Sequence, residues 1–167
     1  MADLYLANLR AAKLFGADLS KATLRRANLV NADLSHTNLR CANLSRAKLF
    51  GVNFRQADLS GANFCEADLR WAIFCGADFG CHHNGPTFRK ADLRGVNLRQ
   101  ADLLGVSLTK SDLRGADLRG ANLRRINVHG AKLSNTYLPW VNLSGADLRL
   151  FDRIYACIKK KIGGKNG

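Results

Sequence analysis

Long hydrophobic runs are missing from this sequence. No stretch approaches the ~18 consecutive apolar residues of a membrane-spanning helix, so none is expected. The opening "MADLYLANLR" has no basic segment followed by an apolar core and a small-residue cleavage site, so no signal peptide is expected either. Cysteine is scarce and odd in number, five in 167 residues, and no C-x-x-C pair occurs. That argues against a disulfide framework and for free thiols in a reducing, cytoplasmic compartment. Acidic residues are few, 13 against 26 basic ones, leaving a net charge of +13. The excess is uneven. Residues 1–79 carry 10 basic and 7 acidic groups, residues 88–149 carry 11 and 5, and residues 150–167 carry 5 and 1. A positive gradient of this kind steers anionic partners and says nothing about fold.

What the chain does have is a period. Every fifth residue from Leu4 to Phe79 is Leu or Phe, sixteen positions without exception. A second run from Phe88 to Leu148 holds thirteen positions, with Val128 as its one departure. Two residues before each centre sits a small residue, usually Ala, and one before it usually Asp or Asn. Five is neither the helical period of 3.6 nor the strand period of 2. A helix would spread these leucines around its cylinder, and one long strand would send them to alternate faces. A chain that turns a corner every five residues points the small and the large side chain inward and the other three outward. Four such sides close a coil of twenty residues, and coils stack at the strand spacing of ~4.8 Å. Sixteen and thirteen repeats make about seven coils and a rod roughly 35 Å long at that spacing. Asp, Asn and Gly suit the corners.

The segments "ANLRAA", "ADLSGANF" and "ADLRGADLRGANL" resemble the A-(D/N)-L-x-x motif of the pentapeptide-repeat family, over about residues 2–150. With 28 of 29 centres Leu or Phe the likeness is specific. It implies an all-β fold, a right-handed quadrilateral β-helix. The expected organisation is a first array at 2–79, a loop or phase break at 80–87, a second array of the same solenoid at 88–150, a short C-terminal α-helix at 151–162 and a disordered tail at 163–167. The helix is read from Phe151, Ile154, Tyr155 and Ile158 at helical spacing. It is expected to cap the end of the rod, to form a homodimer contact, or to lie on a membrane surface. Because the repeat starts at Ala2, the first coil is expected to be frayed, covered by a partner, or cut from a longer chain.

The break itself reads "FGCHHNGPTF", with Phe79 and Phe88 nine residues apart where five or ten would keep phase. Either four residues are inserted or one is deleted. Deletion would place Asn84 near an inward position, where an unpaired amide is costly. Insertion lets His82, His83, Asn84 and Gly85 bulge outward and is favoured. Loops on rigid scaffolds often carry function, so His82, His83 and Asn84 are candidate partner contacts.

Catalysis has little support. Ser and Asp occupy regular outward positions, no acid–base pair is set up by spacing, and a filled rod offers no evident cleft. No metal is expected: Cys81, His82 and His83 are consecutive, but H-x-x-x-H spacing is absent, and Cys41 and Cys81 would lie roughly 10 Å apart, two coils of stacking. No cofactor is expected. For an anionic partner, the stacking places Arg94 in column with Arg114, and Arg99 with Arg119, each pair tempered by neighbouring Asp. Arg25, Arg26, Arg46, Arg89, Lys90 and Lys110 collect on one side. Tyr5, Phe15, Phe50, Trp71, Tyr137 and Trp140 should be exposed, and no known nucleic-acid motif appears. The resemblance also brings in bacterial relatives that bind DNA gyrase by imitating duplex DNA. That imitation needs an acidic surface, which this chain lacks. The expected function is a non-catalytic interaction scaffold or regulator with a protein partner. A basic module for nucleic acid or an acidic protein comes second, and a gyrase or topoisomerase ligand third.

Overall fold

The structure is a computed structural model and describes residues 2–80, 85–142 and 144. Among these residues a turn recurs every five positions, and no side is long enough to be a strand. Each side instead contributes one residue to a parallel bridge with the coil below. Asp3 pairs with Thr23, Asn8 with Asn28, Lys13 with Asp33 and Asp18 with Asn38, each partner twenty residues on. Four bridges per twenty residues define a four-sided solenoid. Counting from the N-terminus, the sides centre on Leu4, Leu9, Leu14 and Leu19, and their equivalents follow in later coils.

Each residue type in the repeat has a local cause. The N–H of the small residue closes the corner on the carbonyl of the preceding centre, as Ala7 does on Leu4 at 3.0 Å. The Asp or Asn before the centre folds its Oδ1 back onto the N–H two residues later, as in Asp18 to Ser20 at 2.9 Å and Asn63 to Cys65 at 2.9 Å. The second corner residue is left-handed, with φ near +58° at Lys21, Arg26, Asn31 and His36. L-residues pay for that conformation, but its N–H is tied to the next coil, as Lys21 is to the Arg40 carbonyl at 2.8 Å. Of the seventeen non-glycine residues in this conformation among the described residues, fourteen are tied in the same way.

Inside, Leu and Phe centres and their Ala partners form one continuous apolar column. Burying each Leu or Phe contributes about 1.5–3 kcal/mol. Where Thr37, Ser111 and Thr136 replace Ala, each hydroxyl donates to the carbonyl three residues back, at 2.6, 2.6 and 2.7 Å. No buried side-chain polar atom lacks a partner among the described residues. Leu4, Leu9 and Leu14 are only partly buried, because no described coil lies beyond them. The first coil is nonetheless paired to the second, through Leu4 N–H to Thr23 O at 2.8 Å and Thr23 N–H to Ala2 O at 3.0 Å.

The register changes once. Asn63 pairs with Thr87, Asp68 with Asp92 and Ile73 with Asn97, twenty-four residues on instead of twenty, and Thr87 to Ser107 returns to twenty. Four more residues therefore separate the paired sides across the break, and the bridges run on from the first array into the second. The ladder is open on the side of the break. Among the described residues no bridge joins Asp78 to Asp102, although Asp58–Asp78 and Asp102–Asn122 flank that rung. Gly85 returns close against the Phe79 carbonyl and Val106, where an added Cβ would lie 3.7 and 3.8 Å away. Pro86 is then buried in the small inward position.

Aromatic side chains gather around this defect. Phe54 stacks on Phe74 at 4.9 Å and Phe64 on Phe88 at 4.9 Å, while Phe79 leans on Phe74 and Phe88 at 5.7 and 6.1 Å. Rings fill the cross-section where one rung is missing. No described helix is long and apolar enough to cross a membrane.

Candidate functional site

With its interior filled, the solenoid can act only through side chains at corners and on flat sides. The extra four residues decide which of these meet. Arg94 and Arg114 are twenty apart, and Arg70 stands twenty-four before Arg94, so all three share the corner between the second and third sides. Trp71 N–H bonds to the Arg94 carbonyl at 3.2 Å and Gly95 N–H to the Arg114 carbonyl at 3.2 Å, fixing this column. Each guanidinium grips the Asp two residues before it through Nε and Nη2. The Nη2–Oδ2 distances are 2.6 Å for Arg70–Asp68, 2.8 Å for Arg94–Asp92 and 2.7 Å for Arg114–Asp112. Arg70 Nε also lies 3.7 Å from Asp92, and Lys132 lies 3.9 Å from Asp112, so charges alternate along the column.

Hydrogen bonds from Arg70, Arg114 and Arg119 hold the carboxyls of Asp68, Asp112 and Asp117 below the usual carboxylate range, against the opposing effect of partial burial. Arg70, Arg94, Arg114 and Arg119 are raised in turn by the same bonds. Exposed pairs of this type add at most about 1 kcal/mol each. Their effect here is geometric: the fork favours one orientation of each arginine.

Trp71 completes this corner. It is 63% exposed and stands at φ +61°, flanked at the same corner by Gly51 and Gly95. Its indole lies flat along Gly95, where a Cβ would meet three ring carbons at 3.1 Å. Arg70, Trp71, Arg94, Gly95, Arg114 and Gly115 together line an open groove of about 300 Å³. Phe50, one coil before, carries the Arg70 guanidinium 5.6 Å from its ring centroid.

The corner between the first and second sides holds Arg25, Arg26, Arg46, Arg89, Lys90 and Lys110, with Glu66 as its one carboxylate among the described residues. Glu66 lies between Arg46 at 2.8 Å and Lys90 at 3.9 Å. The second side is thus bordered by two rows of cations. The fourth side sets Asp18, Asp58, Asp78 and Asp102 against Lys21, Arg40, Arg124 and Arg125 at one corner and Arg55, Arg99 and Arg119 at the other, a smaller excess of cations than the second side carries.

Of the candidates read from the sequence, Arg94 and Arg114 come together in the groove. Arg99 and Arg119 share the next corner, where Arg119 forks Asp117 at 2.6 Å and Arg99 makes no ion pair among the described residues. His82, His83 and Asn84, and the helix candidates Phe151, Ile154, Tyr155 and Ile158, lie outside the described residues. Arg70 was missed. Its partnership with Arg94 shows in the sequence only once the break is counted as four residues. Trp71 stood out as exposed, but nothing in the sequence placed it over Gly95. No group of His, Cys, Asp and Glu able to hold a metal occurs among the described residues.

Among curated proteins none matches. Solved structures that resemble the chain include HetL, a pentapeptide repeat protein involved in heterocyst differentiation regulation in the cyanobacterium Nostoc sp. strain PCC 7120. The two are 26% identical over 81% of this chain and 86% of that one, with a TM-score of 0.36. A pentapeptide repeat protein of the Arabidopsis thaliana thylakoid lumen is 24% identical over 83% and 72%, with a TM-score of 0.35. QnrB1, a plasmid-mediated fluoroquinolone resistance protein, is 18% identical over 93% and 96%, with a TM-score of 0.33. The pentapeptide-repeat model matches in eight copies, over residues 2–40, 42–80, 87–125 and 111–149. With the five-residue corner, the twenty-residue coil and this match over most of its length, the chain belongs to the pentapeptide-repeat family.

Proposed function

We propose that the chain is a non-catalytic interaction scaffold or regulator, a stiff rod whose outward side chains are presented in columns to a protein partner. The observation that carries this reading is the arginine column. Arg70, Arg94 and Arg114 repeat at the coil spacing and each is locked by its own aspartate, a pre-ordered surface that loses little freedom on binding. In this reading the solenoid is right-handed, has about seven coils, and comprises arrays at 2–79 and 88–150 around a loop at 80–87. A helix at 151–162 closes its end or pairs two copies, and 163–167 is a tail. The compartment is the bacterial cytoplasm. His82, His83 and Asn84 are contact residues of the loop.

The test is affinity capture from native lysate with wild type and with charge reversals at Arg94, Arg99, Arg114 and Arg119. A partner lost on reversal supports the reading, and a partner indifferent to all four reads another surface.

A second reading, a basic module for an anionic partner, draws on the uneven charge. Two rows of cations border the second side, and the excess of cations there is larger than on the fourth side. Gyrase binding by duplex mimicry is disfavoured by the net charge of +13. A supercoiling assay with no inhibition at excess protein would remove it.

A further inference from the structure

We propose that the second side of the solenoid binds single-stranded nucleic acid, with a base stacked on Trp71 and the following phosphates on Arg94 and Arg114. The proposal rests on the basic-module reading and assigns it a site.

Three observations converge. First, Trp71 is a large aromatic side chain 63% exposed at a corner where the adjacent coils carry glycine. The indole rests on Gly95 and the groove continues over Gly115, whose added Cβ would meet nothing within 4 Å. A planar base needs this kind of open aromatic platform, and an acidic peptide does not.

Second, the forks leave donors for phosphate. Arg94 and Arg114 spend Nε and Nη2 on their aspartates, which leaves Nη1 unbonded among the described residues. The carboxylate is the more covered partner, with Asp112 18% exposed and Arg114 48%, so a ligand meets the guanidinium. A held guanidinium suits phosphate better than a mobile ammonium does.

Third, the site lies on a track. Across the second side runs the other row, with Arg89, Lys90 and Lys110 in the same coils as the groove or next to it. A strand laid along this side is bordered by cations on both edges. Duplex DNA would present no free base face to Trp71.

Tryptophans occur only at 71 and 140, so Trp140→Phe makes Trp71 the sole indole reporter. Labelled 15-nucleotide oligothymidylate is titrated at low salt, following both its anisotropy and the indole emission. Expected results are binding with quenching, and a loss of roughly five-fold or more in affinity on Trp71→Ala, recovered in part by Trp71→Phe. Arg94→Ala with Arg114→Ala should weaken binding and flatten the salt dependence by about 0.7 per phosphate contact. Arg124→Ala with Arg125→Ala, at the fourth side and away from Trp71, should not. Unchanged thermal melting shows that each variant folds. Binding that ignores Trp71 and both arginines, or that is as tight for duplex or for oligoglutamate, overturns the site and leaves the basic module standing. No binding to any polyanion at low salt overturns both.

Discussion

Phe64 and Phe88 stack face to face, ring centroids 4.9 Å apart and planes inclined by only 2°, although twenty-four residues separate them. The pair marks where the chain absorbs its one irregularity. Phe64 N–H donates to the Thr87 carbonyl at 2.8 Å, so the backbone and the rings agree on the same register.

This stack makes the coils beside the break sensitive to truncation of either ring. Phe64→Ala and Phe88→Ala should each cost about 3–5 kcal/mol, because the cavity opens beside an already missing rung. The double variant should cost less than the sum of the two, since both remove the same contact. Denaturant midpoints of the four proteins check this, and full additivity would argue against the stack.

Removing residues 82–85 should return the spacing across the break from twenty-four to twenty. Folding should survive, and the rung between Asp78 and Asp102 should close. Circular dichroism and melting decide the matter: a collapse in stability would show that the extruded segment supports the coil it leaves.

Gly95 and Gly115 occupy the same corner with φ of +66° and +71°. Alanine is strained at both, by about 1 kcal/mol. At Gly115 that is the whole effect. At Gly95 the new methyl also meets the Trp71 ring at 3.1 Å, so Gly95→Ala should be the more destabilising of the two. Trp71→Ala should remove the difference, and equal melting shifts for the two alanines would contradict the packing described.

Acid should weaken the aspartate forks. Asp68, Asp112 and Asp117 have carboxyls lowered in the folded state, so their stabilisation is present above the unfolded aspartate value of about 3.9 and is lost as the pH falls through the lower folded values. Asp112→Asn should lower stability modestly at pH 7 and converge with wild type in acid. A constant difference from pH 7 to pH 3 would count against an ionic fork.

The repeat, its inward residues and its family were legible in the sequence because every one of them is a local demand. A corner each five residues needs a small residue to turn on, a large one to bury, and an Asp or Asn to cap the next amide. The columns Arg94–Arg114 and Arg99–Arg119 followed from the same count. Arg70 did not, because its neighbours in space depend on how many residues the break extrudes, and two counts fitted the chain. The Phe cluster was visible as a run of substitutions for Leu, without its purpose.

By itself, then, the sequence determined the coil and the order of residues around it, since those depend on contacts within five residues and on a spacing of twenty. Only the tertiary structure decided the phase of the second array against the first. Asn63 pairs with Thr87, and that single choice brings Arg70, Trp71 and Gly95 to one corner. The reason is physical. An insertion costs the same local turn chemistry wherever it is counted, whereas a shifted register is selected by the stacked backbone bonds and rings of all the coils that follow.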